Sequence, residues 1–352
     1  DFDGKENCTV TGINSHMTGD TIISYNWFVD GSFVINGMTS SFPLKTGTHE
    51  IRLDLKSSLG AQGSVSVFVD VISKKLNFSR GINTPVSQLS QSYFLSSADK
   101  NVYQLDSSFI IKNTYASTDT AQSPIVISSR NLLYFITDEK WIRCLDSNLS
   151  VQWEQYDSLG GHITPVISSD GLKLYYTSKA GIVTSRNALN GEIRWRYNTN
   201  RRIMASPLLL EQSDGSKVLI TGTIKYSLQS AALIAIKDLG DRADTLWQRP
   251  ASDSVLSAPA FYANGNNSMI FHTSTDGHLY RTRWDGYYEP LWKVDLKSRV
   301  GSCSPLIDAE GAVYVGTLGG KIIAHLPSFI STWYPRQSFS INVPIEITPA
   351  IS

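Results

Sequence analysis

The sequence predicts an all-β protein, a small β-sandwich followed by a β-propeller of four-stranded blades. Three observations carry this expectation. From residue 81 onward a small residue followed by proline recurs, at Thr84-Pro85, Ser123-Pro124, Thr164-Pro165, Ser206-Pro207, Ala258-Pro259, Ser304-Pro305 and Thr348-Pro349, with spacings of 39, 41, 42, 52, 46 and 44 residues. Between these marks each unit reads as four short strands, at the ~40–50 residues per repeat of a propeller blade. Residues 1–75 lack the punctuation and alternate apolar and polar residues with a period of two, the pattern of a half-buried sheet. No stretch shows helical periodicity over a dozen residues.

Each proline opens a short apolar run, where its missing N–H costs little because it stands at the first residue of a strand. A polar turn follows, such as Ser169-Asp170-Gly171 or Ala309-Glu310-Gly311. The second strand is the most apolar (LLYFIT, KLYYTS, KVLITGT, MIFHTS, AVYVGT). After a second turn comes a third strand, which in most units ends in Asp106, Asp146, Asn187, Asp238 or Asp285. A short carboxylate or amide there is expected to accept backbone N–H groups of the turn before strand four. The fourth strand carries Trp153, Trp195, Trp247 or Trp292, one indole per blade, expected to pack blade against blade.

The N-terminal strands are TIISYNWFVDG, HEIRLDLKS and GSVSVFVDVIS, with Trp27 as the expected core residue. The domains are therefore placed at 1–75 and 76–352, with SKKLNFSR (73–80) as the junction. Six full units run to about residue 340 and Pro349 opens a seventh. A ring must close, because an open blade edge invites aggregation. Seven blades are favoured, six or eight are the alternatives, and the last blade reads as incomplete within these residues. The start at DFDGKEN suggests a domain upstream.

Composition narrows the function classes. The 352 residues carry 31 Lys+Arg against 31 Asp+Glu, and only 18% are charged. This balance argues against binding nucleic acid by phosphate neutralisation. No apolar run reaches membrane-spanning length. Three scattered cysteines (Cys8, Cys144, Cys303) supply neither a disulfide framework nor a zinc site. Cys303 is expected to be buried and inert. The six histidines show no metal-ligand spacing, and His272 and His278, which flank a turn, are expected to point apart. Asp1 and Asp3 resemble the start of a calcium loop, but the rest of that pattern is missing. No nucleophile elbow, phosphate loop or facing carboxylate pair stands out, so no catalytic residue, metal or cofactor is assigned.

In a propeller the loops joining one blade to the next share a face with the turns between strands two and three, over the central funnel. The repeat register places His162, Arg201, Arg202, Arg299 and Glu346 in the first set of loops. Lys179, Lys225, Tyr226 and His278 fall in the second. These are the candidate binding residues. Convergent arginines would hold an anion or a glycan carboxylate; alternatively, these charges only keep the face soluble.

One unit, TPVISSDGLKLYYTSKAGIV followed by Asn187-Ala188-Leu189-Asn190-Gly191-Glu192-Ile193-Arg194-Trp195, resembles the pyrroloquinoline-quinone-type propeller repeat. Asn187 and Asn190 stand where that family has Asp and Thr. Residues 24–31 (SYNWFVDG) and 47–53 (GTHEIRL) resemble the PKD/immunoglobulin-like sandwich family. The quinone enzymes of the first family imply a vicinal cysteine pair, a calcium ion and a catalytic Asp, none of which can be matched here. Its non-catalytic members, among them an outer-membrane assembly lipoprotein of Gram-negative bacteria, imply a rigid docking surface. PKD-like modules imply a secreted or cell-surface setting. The resemblances therefore imply a bacterial, extracytoplasmic (periplasmic, surface or secreted) binding or scaffolding protein. Its partner would be a protein or a glycan, and its oligomeric state is left open. The alternative is an enzyme, either a quinone-dependent dehydrogenase or a propeller-type polysaccharide lyase or hydrolase.

Overall fold

The computed structural model describes residues 5–16, 18–71, 78–82, 84–121, 123–161, 163–265, 268–287, 292–325, 335–340 and 344–345. Every regular element among them is a strand. The chain divides into two compact units, Asp1–Asn77 and Phe78–Ser352.

The first unit holds β1 (Lys5–Thr11), β2 (Ile22–Val29), β3 (Ser32–Asn36), β4 (Thr39–Lys45), β5 (Gly47–Ser57) and β6 (Gln62–Val71). β1 pairs with β4, and a second sheet has the order β3-β2-β5-β6, all antiparallel. β4 shows why these residues choose strands, because Ser40, Phe42 and Leu44 face in while their neighbours face out. Phe42 and Leu44 meet Trp27, Ile51, Leu53 and Val71 from the other sheet in one core. Trp27 is the buried centre, and its indole N–H donates to the Gly37 carbonyl at 2.9 Å. Asp30 and Gly31, both at positive φ, form the tight turn between β2 and β3.

Among the described residues the second unit contains six four-stranded sheets, each an antiparallel meander in sequence order. Blade 1 is Ser87–Leu89, Ser92–Ser96, Asn101–Leu105 and Ile111–Ala116; blade 2 is Val126–Ile127, Leu133–Ile136, Trp141–Leu145 and Val151–Tyr156. Blade 3 is Val166–Ile167, Lys173–Thr177, Ile182–Asn187 and Ile193–Asn198; blade 4 is Leu208–Glu211, Lys217–Gly222, Ala232–Asp238 and Ala243–Pro250. Blade 5 is Ala260–Tyr262, Met269–Ser274, His278–Arg283 and Lys293–Asp295; blade 6 is Leu306–Ile307, Val313–Gly316, Lys321–His325 and Pro335–Ser340. Each of the first six repeated prolines lies one or two residues ahead of an inner strand, where no ladder hydrogen bond is lost. The middle strands are the most buried, which is why their apolar runs are nearly continuous.

The tryptophans join successive blades. Trp153 donates its indole N–H to the Ala188 carbonyl of blade 3 at 2.8 Å, and Trp247 to the Trp284 carbonyl of blade 5 at 3.2 Å. Trp195 donates instead to the Asp238 carboxylate of blade 4 at 3.0 Å. The receiving turns need glycine. A Cβ on Gly191 would lie 2.7 Å from Trp153, and one on Gly286 2.5 Å from Trp247, and both residues have positive φ. Trp292 packs edge-on against Phe271 beneath the Arg281 guanidinium.

The recurring Asp and Asn residues sit in the turns before strand four. Asp106, Asp146, Asn187, Asp238 and Asp285 each accept at least one backbone N–H within their turn, for example Ser108 and Ile110 on Asp106 at 2.9 Å.

At the end of blade 6 the Ile345 N–H donates to the Thr317 carbonyl at 3.1 Å, as Val255 does to Thr223 where the chain leaves blade 4 for blade 5. The register thus runs on towards a seventh unit. Its Thr348-Pro349, like most of the junction SKKLNFSR, lies outside the described residues.

Candidate functional site

The turns between strands two and three and the loops linking blades share one face of the second unit, because they bond to each other. The Lys140 carbonyl accepts the Asp157 N–H, Gly181 that of Thr199, and Gly277 that of Leu296, at 2.9–3.0 Å. In blades 1, 2, 3, 5 and 6 these turns are three or four residues long. Each places one residue in the left-handed region: Lys100, Lys140, Gly181, Gly277 or Gly320. A buried hydroxyl at the end of strand two caps many of them. Thr137 accepts the Trp141 N–H at 3.0 Å, and Thr317 accepts that of Lys321 at 3.2 Å. The threonine ending many second strands in the sequence is the signal for this capping, which the turn-by-turn reading missed.

Blade 4 departs from the pattern. Nine residues, 223–231, separate its second and third strands. They form a protruding hairpin in which Tyr226 and Gln229 exchange backbone hydrogen bonds at 3.1 and 3.0 Å, with Ser227 at φ 53°. The loop from blade 3 braces it. The Arg201 guanidinium donates to the Ser230 carbonyl and faces the Gln248 side-chain amide, whose oxygen, once turned toward it, accepts from Nη2 at 3.0 Å and Nε at 3.3 Å. Gln229 Nε2 donates to the Asn200 carbonyl at 2.8 Å, and the Ile224 N–H to the Arg202 carbonyl at 2.9 Å. The Arg202 guanidinium lies 3.7 Å from the centre of the Tyr226 ring, a cation–π contact. From the other side Ser254 Oγ accepts the Lys225 N–H at 3.0 Å. Upon this brace stand Tyr226, 49% exposed, and Leu228, 102% exposed.

Four of the candidate residues, Arg201, Arg202, Lys225 and Tyr226, therefore meet at one place. Arg201 is engaged by neutral acceptors of its own chain, so its guanidinium serves as a brace for the hairpin. Lys179 is exposed in the turn whose Gly181 packs against the Arg201 carbonyl. Arg299 is exposed in the loop from blade 5 to blade 6. His278 is half-buried beside Asp276, its Nδ1 3.4 Å from the carboxylate. His162, Glu346, Asp1 and Asp3 lie outside the described residues. The expectation that His272 and His278 point apart fails, because both rings meet Tyr280, at 5.3 and 6.0 Å between centres. The register sets His272 opposite Tyr280 and His278 opposite Ser274, two residues from His272 on its own strand, so both imidazoles lie on the face of the sheet that carries Tyr280.

Beneath this face lie ion pairs that sequence reasoning missed. Asp157, in the loop leaving blade 2, accepts from the Tyr176 hydroxyl at 2.5 Å, Arg186 at 3.1 Å and Arg196 at 2.7 Å. One carboxylate thus grips three strands of blade 3. Burial alone would raise its pKa, but these donors outweigh burial and hold it below the usual carboxylate range. Asp119, one loop earlier, pairs likewise with buried Arg143 at 2.8 Å. Nothing in the local sequence marks either aspartate, since the arginine partners are 24 to 39 residues away.

Cys303 and Cys144 are buried, and burial pushes the Cys144 thiol up to about 12. Neither is a ready nucleophile.

His272 supplies a pH prediction. It is buried, and desolvation lowers its pKa from the usual 6.5 to about 4. Between these values the unfolded chain binds a proton that the folded chain refuses, so stability falls as pH falls from about 6.5 to about 4. The slope from this one group is about 1.4 kcal/mol per pH unit. Denaturant titrations over that window should show the slope reduced in His272→Gln.

No protein-family profile matches the chain, and no curated protein does. Among solved structures it is similar to the crystal structure of BamB from Moraxella catarrhalis, at TM-score 0.61 and 15% identity, covering 78% of this chain and 79% of that one. At this identity the similarity establishes the fold, a β-propeller.

Proposed function

We propose that this chain is a non-catalytic docking scaffold that works outside the cytoplasm, and that it binds a protein partner with the face carrying the blade 4 hairpin. The observation that carries this reading is the braced hairpin itself. Exposing a leucine completely on a solvated tip has no folding advantage. Arg201, Gln229 and Arg202 nevertheless hold that tip in one conformation. A preorganised aromatic and aliphatic pair loses little entropy on docking, which is how interface anchors gain their affinity. Arg202 and Lys225 around it favour a partner whose pocket has an acidic rim. The resemblance to non-catalytic propeller scaffolds and the BamB-like fold support the same reading. A glycan is the lesser partner here, because the guanidinium best placed for a sugar carboxylate is already satisfied.

The test is site-specific photo-crosslinking at position 228 in cells, with position 59, an exposed leucine of the sandwich, as the control. A discrete protein adduct at 228 and none at 59 is expected. Tyr226→Ala should reduce the adduct strongly, because anchor truncations typically cost about 2 kcal/mol or more. Its melting temperature should hardly move. Binding only to purified glycans, with no protein adduct, would overturn the reading.

A further inference from the structure

The sandwich carries a second surface that the docking role does not use. β6 pairs with β5 over ten residues, Gln62↔Lys56 to Val71↔Gly47, without a register shift. Its other edge has no strand beside it among the described residues. Such an edge offers a row of backbone donors and acceptors, which proteins blunt with charge, proline or bulges.

Among the described residues, the outer blade edges and the β3 and β4 edges of the sandwich are blunted in these ways. The outer strands of blades 1, 2, 3, 4 and 6 are each bulged against their neighbours. The outer strand of blade 5 is only three residues long and contains Lys293 and Asp295. In the sandwich, β3 is five residues long and bulged against β2, and β4 contains Pro43 and Lys45. β6 (QGSVSVFVDV) has no proline, no lysine or arginine and one charge, Asp70, near its end. It exposes Val65 by 62%, Val67 by 55% and Phe68 by 73%, on both of its faces.

We infer that β6 is a strand-pairing surface and that its occupant is β6 of a second copy of this chain, joined antiparallel about a two-fold axis near Val67. The sequence is complementary to itself in that arrangement. Val67 meets Val67, Val65 meets Val69, Ser66 meets Phe68, and Ser64 meets Asp70. No like charges oppose one another, and β-branched residues form the cross-strand pairs that stabilise a ladder. Val65 and Val67 lie on the same side as Val69 and Val71, which pack on the sandwich core. The seam would thus join the two cores, and an isologous contact of this kind closes at two copies. A ten-residue seam is small against the about 1,200–2,000 Å2 of a stable interface, so the dimer is weak and concentration-dependent.

Sedimentation velocity of the whole chain over a concentration series tests this. The parent should shift from monomer to dimer and no further. Val67→Lys should remain monomeric at every concentration with an unchanged melting temperature. Phe33→Lys, an equal change on the opposite edge, should dimerise like the parent. In an oxidising buffer Val67→Cys should form an intermolecular disulfide that the parent does not. A parent that stays monomeric throughout, a Val67→Lys variant that still dimerises, or open-ended aggregates would each overturn the inference.

Discussion

An Asp157→Ala variant is expected to lose about 3–5 kcal/mol of stability, the cost of leaving a buried charge without its partner. Arg186 is buried almost completely and keeps only the Tyr176 hydroxyl and the Gly191 carbonyl once the carboxylate is gone. The loop leaving blade 2 would also lose its hold on the outer strand of blade 3, through Arg196. Asp157→Asn keeps the shape and should lose less. Replacing Asp157 and Arg186 together with leucine and methionine should cost much less than Asp157→Ala, since a packed apolar pair can substitute for a buried ion pair. Urea denaturation of the three variants separates these outcomes. If Asp157→Ala melts with the parent, the pair contributes nothing to blade contact. The parent should also lose this contribution as pH falls through the depressed pKa of Asp157, because the stability gained by a carboxylate held below its usual range exists only while it is ionised.

The second large effect is at Trp195. Trp195→Ala is expected to cost about 3–5 kcal/mol, the range for truncating a buried aromatic residue. The indole closes the contact between blades 3 and 4, packing with Tyr175, Ile234 and Ile236. Its N–H is also one of the donors to Asp238, which Lys173 and the Tyr175 hydroxyl approach at 2.7 and 2.5 Å. Trp195→Phe keeps most of the apolar area and removes only the donor, so it should cost nearer the about 1.5–3 kcal/mol of a hydrogen bond to a charged group. Trp153 and Trp247 donate to neutral carbonyls, so the equivalent change to Phe should be milder at either position. Equal losses at all three sites, by thermal denaturation, would show that the Asp238 carboxylate adds nothing to the contact.

The site was half visible before the structure. Register alone brought Arg201, Arg202, Lys225 and Tyr226 to one face, because turn and loop positions follow directly from the strand count. It also held an unused clue. The spacing of 52 residues between Pro207 and Pro259 is the largest in the series, and the nine-residue hairpin accounts for part of the excess. Leu228 at its tip went unnoticed because a single leucine among polar residues carries no periodic signal. The sequence leaves Arg201 as either an anion ligand or a solubilising charge, and only its contacts with Ser230 and Gln248 reveal the brace. The sequence marks Asp238 as a turn cap, which it is through Gly240, but it is also the buried junction of blades 3 and 4.

Local regularities were therefore decided by the sequence itself. The prolines ahead of inner strands, the turn-capping aspartates and the period-two alternation of the sandwich strands each depend on neighbours a few residues away, and the tryptophans recur because each blade meets the next in the same way; both kinds of regularity leave a repeating mark. The tertiary structure alone decided which charges are spent and which are free, which edges are blunted, and which apolar side chains stay in water. Those properties depend on partners tens of residues distant, whose approach is set by how one blade packs against the next.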